Sequence, residues 1–467
     1  MKMWSGRFRQ PLDPDFERWQ RSFGFDRRLL RHELAASGAH AQALKTAGIL
    51  SPDELIGILQ GLEQIGERAT ASPSFLDDNE AEDVHHFVEK QLVALIGEAG
   101  YKLHSGRSRN EQIATDLRLY VRSAIDQLRH EVAELCNALA DRADQAGDAA
   151  MPAYTHLQRA EPVLLGHWLL AYVEMFLRDA ERLADCRKRA NTCPLGSGAV
   201  AGATLSLDRS LLADSLGFDG VTANSIDATS DRDFALEFVN ALSLLALHLS
   251  RWAEEMILFS SQEYSFLALP EAYSTGSSAM PQKKNPDLLE LVRGKSGRVL
   301  GNAAALMVAI KGLPLAYNKD LQETQEPLFD SSDTLLQMLP LVVGWIKAVE
   351  FNHQRMHQAS QSGFMNAWAA ATYLVKRGVP SRQAHERIGK AVRICIERSC
   401  ELQDLALDEL RSLSPVFEQD FYESLKLASV LAVHDVPGGT APSRVRHAIN
   451  ITRKRIESLR QEVHAHA

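Results

Sequence analysis

Hydrophobic residues recur in steps of three and four along the middle of this 467-residue chain. That spacing places them on one face of an α-helix. Five such runs cover positions 113–139, 169–183, 234–259, 288–310 and 327–349. No sustained alternation with a period of two accompanies them, so strands are expected to be minor. The pattern predicts an all-α fold whose middle third is a bundle of five long helices.

The third run predicts a helix that is covered on most of its sides. Its main apolar stripe extends from Phe234 to Phe259, and further apolar residues such as Leu244 and Leu247 occupy its other faces. A helix that is apolar nearly all round must be buried by its surroundings. At 1.5 Å per residue it would be about 39 Å long.

Helix-start signals and helix length suggest the domain boundaries. Ser51 precedes a proline and two acidic residues, and Ser108 is followed three residues later by Glu111, which is the spacing of a capping box. The long helices begin near residue 108, and shorter segments return after residue 358. The predicted domains are an N-terminal helical domain (1–108), a central long-helix bundle (109–358) and a C-terminal helical domain (359–467).

Composition and charge favour a cytoplasmic protein with a small-molecule ligand. A formal net charge of −9 argues against a general nucleic-acid partner. The five cysteines are too scattered for a disulfide framework. The polar, basic start of the chain is unlike a signal peptide, and the uninterrupted apolar stretches are too short for a membrane span.

Two polar segments lie at opposite ends of the first long helix, residues 104–110 before it and residues 154–158 after it. About 35 helical residues separate their ends by roughly 50 Å. The few residues that follow the helix could recover about 25 Å at most. If the two segments act in one site, they must come from different subunits of a symmetric oligomer.

Four polar segments could carry chemistry. The segment 276–286 combines small residues, two lysines and a following helix N-terminus, so it is either an anion cradle or a flexible surface loop. The segment 103–112 holds two arginines suited to carboxylates, or simply caps a helix. His156 is either an acid or base or an ordinary solvated histidine. The polar break 317–322 offers donors or is an ordinary charged loop.

Metal and cofactor signatures are missing from the sequence. No His, Cys and carboxylate cluster has metal-ligand spacing, and no glycine loop of the phosphate-binding types occurs. The expectation is therefore that the protein uses neither a metal nor a cofactor.

Taken together, these segments resemble the fumarase/aspartase superfamily. The stretch 276–286 is similar to the superfamily pattern GSSxMPxKxNP, and Gln282 with its two following lysines resembles the argininosuccinate lyase branch. The resemblance spans the chain in the expected order and continues at Trp4–Phe8, 103–112, 154–162, 195–199 and 317–323.

The resemblance implies a cofactor-free elimination that splits argininosuccinate into arginine and fumarate, the last step of arginine biosynthesis. It also implies a three-domain, all-α fold whose long-helix bundles assemble into the core of a homotetramer, with each site built from three subunits. Two alternatives stay open. One is a sister lyase acting on adenylosuccinate, aspartate or a related amine–fumarate adduct, and the other is a catalytically silent structural homologue.

The resemblance also assigns site residues, position by position. Ser277 would be the base and His156 the acid, although the reverse assignment stays open. Lys283 would stabilise the deprotonated Ser277, and Glu290 would be the carboxylate partner of His156. The implied substrate-binding residues are Ser22, Asp83, His85, Ser108, Asn110, Thr155, Arg232, Asn285, Tyr317 and Gln322.

Three positions depart from the family pattern. Gln325 stands where many members have lysine, which puts the strength or arrangement of substrate binding in doubt. Glu161 and Glu111 are milder replacements of a glutamine and an aspartate. The segments that carry the implied catalytic residues are intact.

Overall fold

The structure, a computed structural model, describes residues 10–465, so the similarity at Trp4–Phe8 lies outside the described part. Helices and strands are numbered in chain order. The helices that precede the first long run are α1 (Pro14–Trp19), α2 (Phe23–Asp26), α3 (Leu30–Thr46), α4 (Pro52–Ala71) and α5 (Val84–Ile96).

All five predicted long helices are present, and two short helices lie between the second and the third. The series is α6 (Arg109–Gln145), α7 (Leu165–Ala190), the short α8 (Arg209–Ser215) and α9 (Ser225–Ser230), α10 (Asp233–Ser260), α11 (Asp287–Ile310) and α12 (Gln325–Ala348). Shorter helices follow, namely α13 (His353–Ser360), α14 (Ala367–Lys376), α15 (Ser381–Arg398), α16 (Leu407–Leu413), α17 (Phe421–Ser424), α18 (Leu427–Ala432) and α19 (Pro442–His464).

Strands are minor in the described residues, as predicted. They are β1 (Ala150–Thr155), β2 (Gln158–Leu164), β3 (Leu267–Ala268), β4 (Thr275–Gly276), β5 (Lys284–Asn285) and β6 (Glu350–Phe351). They form three antiparallel pairs, β1 with β2, β3 with β6 and β4 with β5. The fold is therefore all-α, as the sequence predicted.

The chain divides into two compact units, and each long helix contributes residues to both. The first unit comprises residues up to 127, 182–243 and 297–335. The second comprises 128–181, 244–296 and the residues from 336 onward. The predicted division into three domains stays a prediction.

Each unit has its own apolar core. In the first unit, residues of α3 and α8 pack with the segment between α7 and α8, burying Ala36, Leu195, Leu212 and Phe218. In the second unit, Phe417 and Phe421 pack edge to face with ring centroids 4.7 Å apart beneath α14 and α15. The indole rings of Trp252 and Trp345, both fully buried, meet at 5.2 Å.

The main stripe of α10 is buried as predicted, but its other faces are not fully covered. Every stripe residue from Phe234 to Phe259 is buried, whereas Leu244 and Leu247 are 40% and 39% exposed. The helix has the length and composition of a membrane span, with 61% of its most apolar window buried inside the protein. Core helices of globular proteins share these properties, so we interpret α10 as a core helix.

The predicted helix starts hold with one small shift. Ser51 and Glu54 form a reciprocal capping box on α4. Before α6, the Ser108 amide donates to the Glu111 carboxylate at 3.0 Å, and the Asn110 amide donates to the Ser108 hydroxyl at 3.2 Å. The helix expected after Asn285 begins at Asp287, because Asn285 pairs within β5.

Candidate functional site

A polar cleft in the first unit brings together six of the predicted substrate-binding residues. It has a volume of about 140 Å³ and is formed by the starts of α2, α5 and α6 and the segment 317–325. The predicted residues that line it are Ser22, Asp83, His85, Asn110, Tyr317 and Gln322, and the other lining residues are Asp26, Glu82, Arg109, Ile113, Lys319 and Gln325.

One wall of the cleft holds two acidic residues, Asp26 on α2 and Asp83 at the start of α5, and each accepts hydrogen bonds from its surroundings. The Ser22 hydroxyl donates to the Asp26 carboxylate at 2.5 Å, and the Val84 amide donates to it at 3.0 Å. Asp83 caps α5 by accepting the His86 amide at 2.7 Å. Burial, together with the charge of Asp83, raises the pKa of Asp26 to about 7. Asp26 therefore changes charge near neutral pH.

The start of α6 supplies donors to the same cleft. Arg109 lies 3.1 Å from the Asp83 carboxylate. The Gly198 amide donates to the buried carboxylate of Glu111 at 2.9 Å, which holds the first turn of α6 in place. Gly198 has φ +63°, and a Cβ there would meet the Gly202 carbonyl oxygen at 2.7 Å. The segment 195–199 thus supports the site rather than lining it.

The opposite wall comes from the segment before α12. The Gln322 amide donates to the Gln20 carbonyl at 3.2 Å. Burial raises the pKa of the Tyr317 hydroxyl, and the positive charge of Arg232 opposes that rise. Arg232 is fully buried, and burial lowers its pKa to about 10. Two of its nitrogens, Nε and Nη2, have no hydrogen-bond partner among residues 10–465.

Gln325, the position that departs from the family pattern, also lines this cleft. Its side chain is buried, and its amide oxygen has no hydrogen-bond partner within the described chain. A polar group without a partner in a cleft is available to a ligand. A glutamine in place of the family's lysine at position 325 would therefore change how a ligand binds in this cleft.

His156 lies at the tip of a hairpin that the sequence pattern did not predict. Tyr154 pairs with Arg159 and Thr155 with Gln158, which leaves a two-residue turn of His156 and Leu157. Both turn residues have left-handed backbone angles, with φ of 55° and 56°. Such a turn normally uses Asn and Gly, and neither residue type is present here to signal it. The tip is exposed, and Thr155 beside it is exposed as well.

Ser277 begins a second exposed loop, between β4 and β5. Its hydroxyl accepts the amides of Ala279 and Met280 at 3.3 and 3.1 Å, which makes a local turn. Lys283 is exposed, and the side-chain amide of Asn285 donates back to the Gly276 carbonyl at 3.4 Å. The loop therefore presents a hydroxyl and a cation on one short turn, and its role as an anion cradle stays a prediction.

Glu290 lies in the first turn of α11 and is exposed. Its nearest ionic neighbour is Arg293, at 3.9 Å. No hydrogen bond or ion pair joins Glu290 to His156 in the described part of the chain. The pairing of the two that the resemblance implies stays a prediction.

The structure adds buried groups that sequence reasoning missed. Behind the cleft, the His85 Nδ1 lies 2.8 Å from the Glu33 carboxylate and 3.8 Å from Asp116. Glu33, His85 and Asp116 are the group in the described chain whose ligand atoms, all within 4.8 Å of one another, could hold a metal ion. They come from α3, α5 and α6, so no local spacing in the sequence could reveal them.

The comparisons with known proteins agree with this fold. Residues 6–301 match a sequence family described as lyase, and residues 364–432 match the argininosuccinate lyase C-terminal family. The structure of an EDDS lyase in complex with formate aligns with a TM-score of 0.86 at 26% identity, covering 98% of this chain and 93% of that one. A fumarate lyase from Mesorhizobium shares the fold at a TM-score of 0.75 and 20% identity, covering 94% of this chain and 100% of that one.

An all-α chain with these matches is a carbon–nitrogen lyase of the fumarase/aspartase superfamily. The argininosuccinate lyase of Koribacter versatilis is 59% identical over 467 residues, which is 100% of both chains. That of Acidobacterium capsulatum is 58% identical over 98% of this chain and 96% of its own. The chain belongs to the argininosuccinate lyase family.

Proposed function

We propose that this chain splits argininosuccinate into arginine and fumarate without a cofactor. The observation that carries the proposal is that the loop Ser277–Lys283 and the six predicted residues of the cleft are present in a chain that matches relatives of this name along its full length. In this proposal the reaction would complete arginine biosynthesis.

The reaction removes a proton and breaks one carbon–nitrogen bond. The Ser277 oxygen takes the proton from the carbon next to a carboxylate, and the electron pair moves into that carboxylate as an aci-carboxylate. The carbon–nitrogen bond then breaks, and the departing guanidinium nitrogen takes a proton from His156, directly or through water. Lys283 stabilises the deprotonated serine, because a hydroxyl is otherwise a very weak base.

The two ends of the substrate need different surroundings. The fumarate end carries two carboxylates, for which Lys283 and Asn285 offer donors, together with Ser108, Asn110 and Thr155. The arginine end carries both an amino group and a carboxylate. The cleft, which is lined by Ser22, Asp83, His85, Tyr317 and Gln322 among others, offers acceptors and donors for these groups. The charge of Arg232 acts on Tyr317.

We propose that the sites are shared between subunits of a homotetramer. Helix α6 has 37 residues, which makes it about 55 Å long. The exposed His156 tip is typical of a group that acts in a neighbouring chain. Exposed apolar side chains on the long helices also favour assembly, namely Leu244, Leu247, Leu291, Leu300, Met307, Val308 and Leu341.

We propose that the protein is cytoplasmic, and that it acts on a small-molecule substrate without a nucleic-acid or membrane partner. The five cysteines are free thiols, four of them buried, which suits a reducing compartment. The long helices would form the tetramer core, within the three-domain division predicted from the sequence.

The proposal predicts that Ser277→Ala loses turnover while the fold and substrate binding remain. Fumarate formation is followed by ultraviolet absorbance with argininosuccinate as substrate, and turnover should fall by at least about a thousandfold. Ser278→Ala is the matched control, since it removes the neighbouring hydroxyl from the same exposed loop. Its turnover should stay within a few-fold of the wild-type value.

Other outcomes would redirect the proposal. Equal losses in both variants would indicate loop damage rather than loss of the base. Near-normal turnover in Ser277→Ala would move that role to His156. A wild-type protein that releases no fumarate from argininosuccinate would then be tested with adenylosuccinate, aspartate and EDDS. A lack of activity on all of these substrates would favour a structural homologue without catalytic activity.

A further inference from the structure

In the buried group behind the cleft, one carboxylate accepts several hydrogen bonds and the other accepts none. Glu33 accepts hydrogen bonds from the Ser37 hydroxyl at 2.6 Å and from the Gln112 amide at 3.1 Å, in addition to its contact with His85. Arg107 lies 3.7 Å away. Both oxygens of Asp116, by contrast, are fully buried and have no hydrogen-bond partner among residues 10–465.

Two adjacent buried carboxylates cannot both be ionised at low cost, because each charge is stripped of water and repels the other. Glu33 is the member with donors around it, so it keeps the negative charge. Burial opposes this, but the charges of His85 and Arg107 hold the pKa of Glu33 below its usual range. Burial and the charge of Glu33 raise the pKa of Asp116 well above its usual range.

A proton explains this arrangement better than a metal ion does. The oxygens of Glu33 are already occupied by hydrogen-bond donors, and the guanidinium of Arg107 adds a positive charge beside them. A bound cation would have to displace those donors and approach that charge. A proton on Asp116 lets it donate to Glu33 and needs no displacement.

We propose that Glu33 and Asp116 form a carboxyl pair that holds one proton and positions His85 at the cleft. The Nδ1 of His85 faces this pair, which leaves Nε2 as the ring nitrogen available to a ligand. His85 itself lines the cleft. Glu33 and Asp116 are thus positioning residues, because they act on the substrate only through His85.

The pair also determines the charge of His85. The charged or titratable groups around the imidazole are Asp26, Glu33, Asp83, His104, Arg107, Arg109 and Asp116. Burial lowers the pKa of His85, but the charge and hydrogen bond of Glu33, together with the charges of Asp83 and Asp26, outweigh it, and the net shift is upward. His85 is therefore protonated at higher pH than a free histidine, and it presents a cationic N–H to an anionic group. This role rests on the proposed reaction, whose substrate is a carboxylate.

Two nearly isosteric variants separate the two carboxyl groups. Glu33→Gln removes the charge that holds His85, so kcat/KM should fall on the order of a hundredfold. Asp116→Asn keeps a neutral side chain that can donate to Glu33, so kcat/KM should stay within about threefold. Because His85 loses its proton more readily beside a neutral amide, the decline of activity at rising pH should move to lower pH in Glu33→Gln and stay in place in Asp116→Asn.

A spectroscopic measurement makes the test independent of turnover and of the substrate. The protein is labelled with 13C-histidine and its NMR spectrum is recorded. The signal that is missing from the spectrum of His85→Gln belongs to His85, which distinguishes it from the other signals of the sixteen histidines. Its titration midpoint should fall in Glu33→Gln and remain unchanged in Asp116→Asn. The control is Asp179→Asn in the second unit, where Asp179 lies 2.6 Å from the His248 Nδ1. This variant disturbs a similar buried pair and should leave the His85 titration unchanged.

The outcomes separate the inference from the proposed function. An unchanged His85 midpoint in folded Glu33→Gln overturns the inference, and so does an Asp116→Asn variant as impaired as Glu33→Gln. If Glu33→Gln does not fold, Glu33→Asp is measured instead, because it keeps the negative charge. This variant should fold and show the wild-type titration midpoint of His85. A folded Glu33→Asp with a lowered midpoint contradicts the inference. A wild-type protein that releases no fumarate contradicts the proposed function alone.

Discussion

Single ionisable residues around the cleft lie where water cannot fully solvate them. Asp26, Glu33, His85 and Arg232 are all buried. Each has a pKa displaced by burial and by its neighbours, so the charge of the cleft depends on a few specific contacts rather than on bulk pH.

Asp26→Asn should stabilise the protein at alkaline pH more than at acidic pH. The folded-state pKa of Asp26 is about 7, whereas its ordinary value is 3.8. Between these values the folded state retains a proton that the unfolded state has lost, so wild-type stability falls as pH rises through this window and the loss is complete above pH 7. The asparagine variant avoids this loss.

Urea unfolding of both proteins at pH 5 and pH 8 would measure the effect. The difference of 3.2 pKa units sets a limit of about 4 kcal/mol on the gain. An advantage that is no larger at pH 8 than at pH 5 would show that the folded-state pKa of Asp26 is not raised. Ser22→Ala, which removes a donor to the Asp26 carboxylate, should change the free energy of unfolding in the opposite direction at pH 8.

The family resemblance implied six of the twelve residues that line the cleft. Asp26 was missed, although it follows the predicted Ser22 by one helical turn, since spacing alone does not reveal burial. Glu33 and Asp116 were missed for a different reason. Each lies on a helix whose pattern is otherwise typical of a core face, and only the packing of three helices brings the two together.

At the scale of helices and strands, the apolar pattern of the sequence predicted the long helices but did not predict the β1–β2 hairpin. The five apolar runs each lie in a long helix, because a period of 3.6 leaves a strong signal over fifteen residues or more. The hairpin has Pro152 within β1, an irregular register beside it and a turn without glycine. These features hide a strand pair, so tertiary packing rather than local preference forms it.

Leu157→Gly should stabilise the hairpin, because glycine adopts the left-handed backbone at position 157 without a steric cost. A gain of about 1 kcal/mol in the free energy of unfolding is expected. Leu157→Val is the matched variant, and its β-branched side chain should reduce stability by a similar amount. Chemical denaturation of all three proteins would measure both changes, and the same sign in both variants would contradict the backbone explanation.

At the scale of the whole molecule, the predicted site residues divide between the two compact units. The cleft, Ser108 and Arg232 belong to the first unit, while the His156 tip and the Ser277 loop belong to the second. Under the proposal of shared sites, each unit would contribute its residues to a site that another chain completes.

Mixing two inactive proteins should therefore restore activity. His156→Ala and Asn110→Ala each remove one contribution to a shared site. In randomly mixed tetramers, about a quarter of the sites would receive both native residues from two different subunits. Subunit exchange is confirmed by mass spectrometry before fumarate formation is measured. The absence of recovery after complete exchange would contradict shared sites.

The apolar character of α10 has a consequence for how a cell makes this protein. During synthesis, a chain that has not yet folded presents a segment that resembles a membrane anchor by length and composition. Arg251, Glu254 and Glu255 interrupt its second half. Each charge near the middle of an inserted helix disfavours insertion by about 3 kcal/mol. These three residues, exposed or half-exposed in the folded chain, therefore also direct the nascent helix away from the membrane and towards its own core.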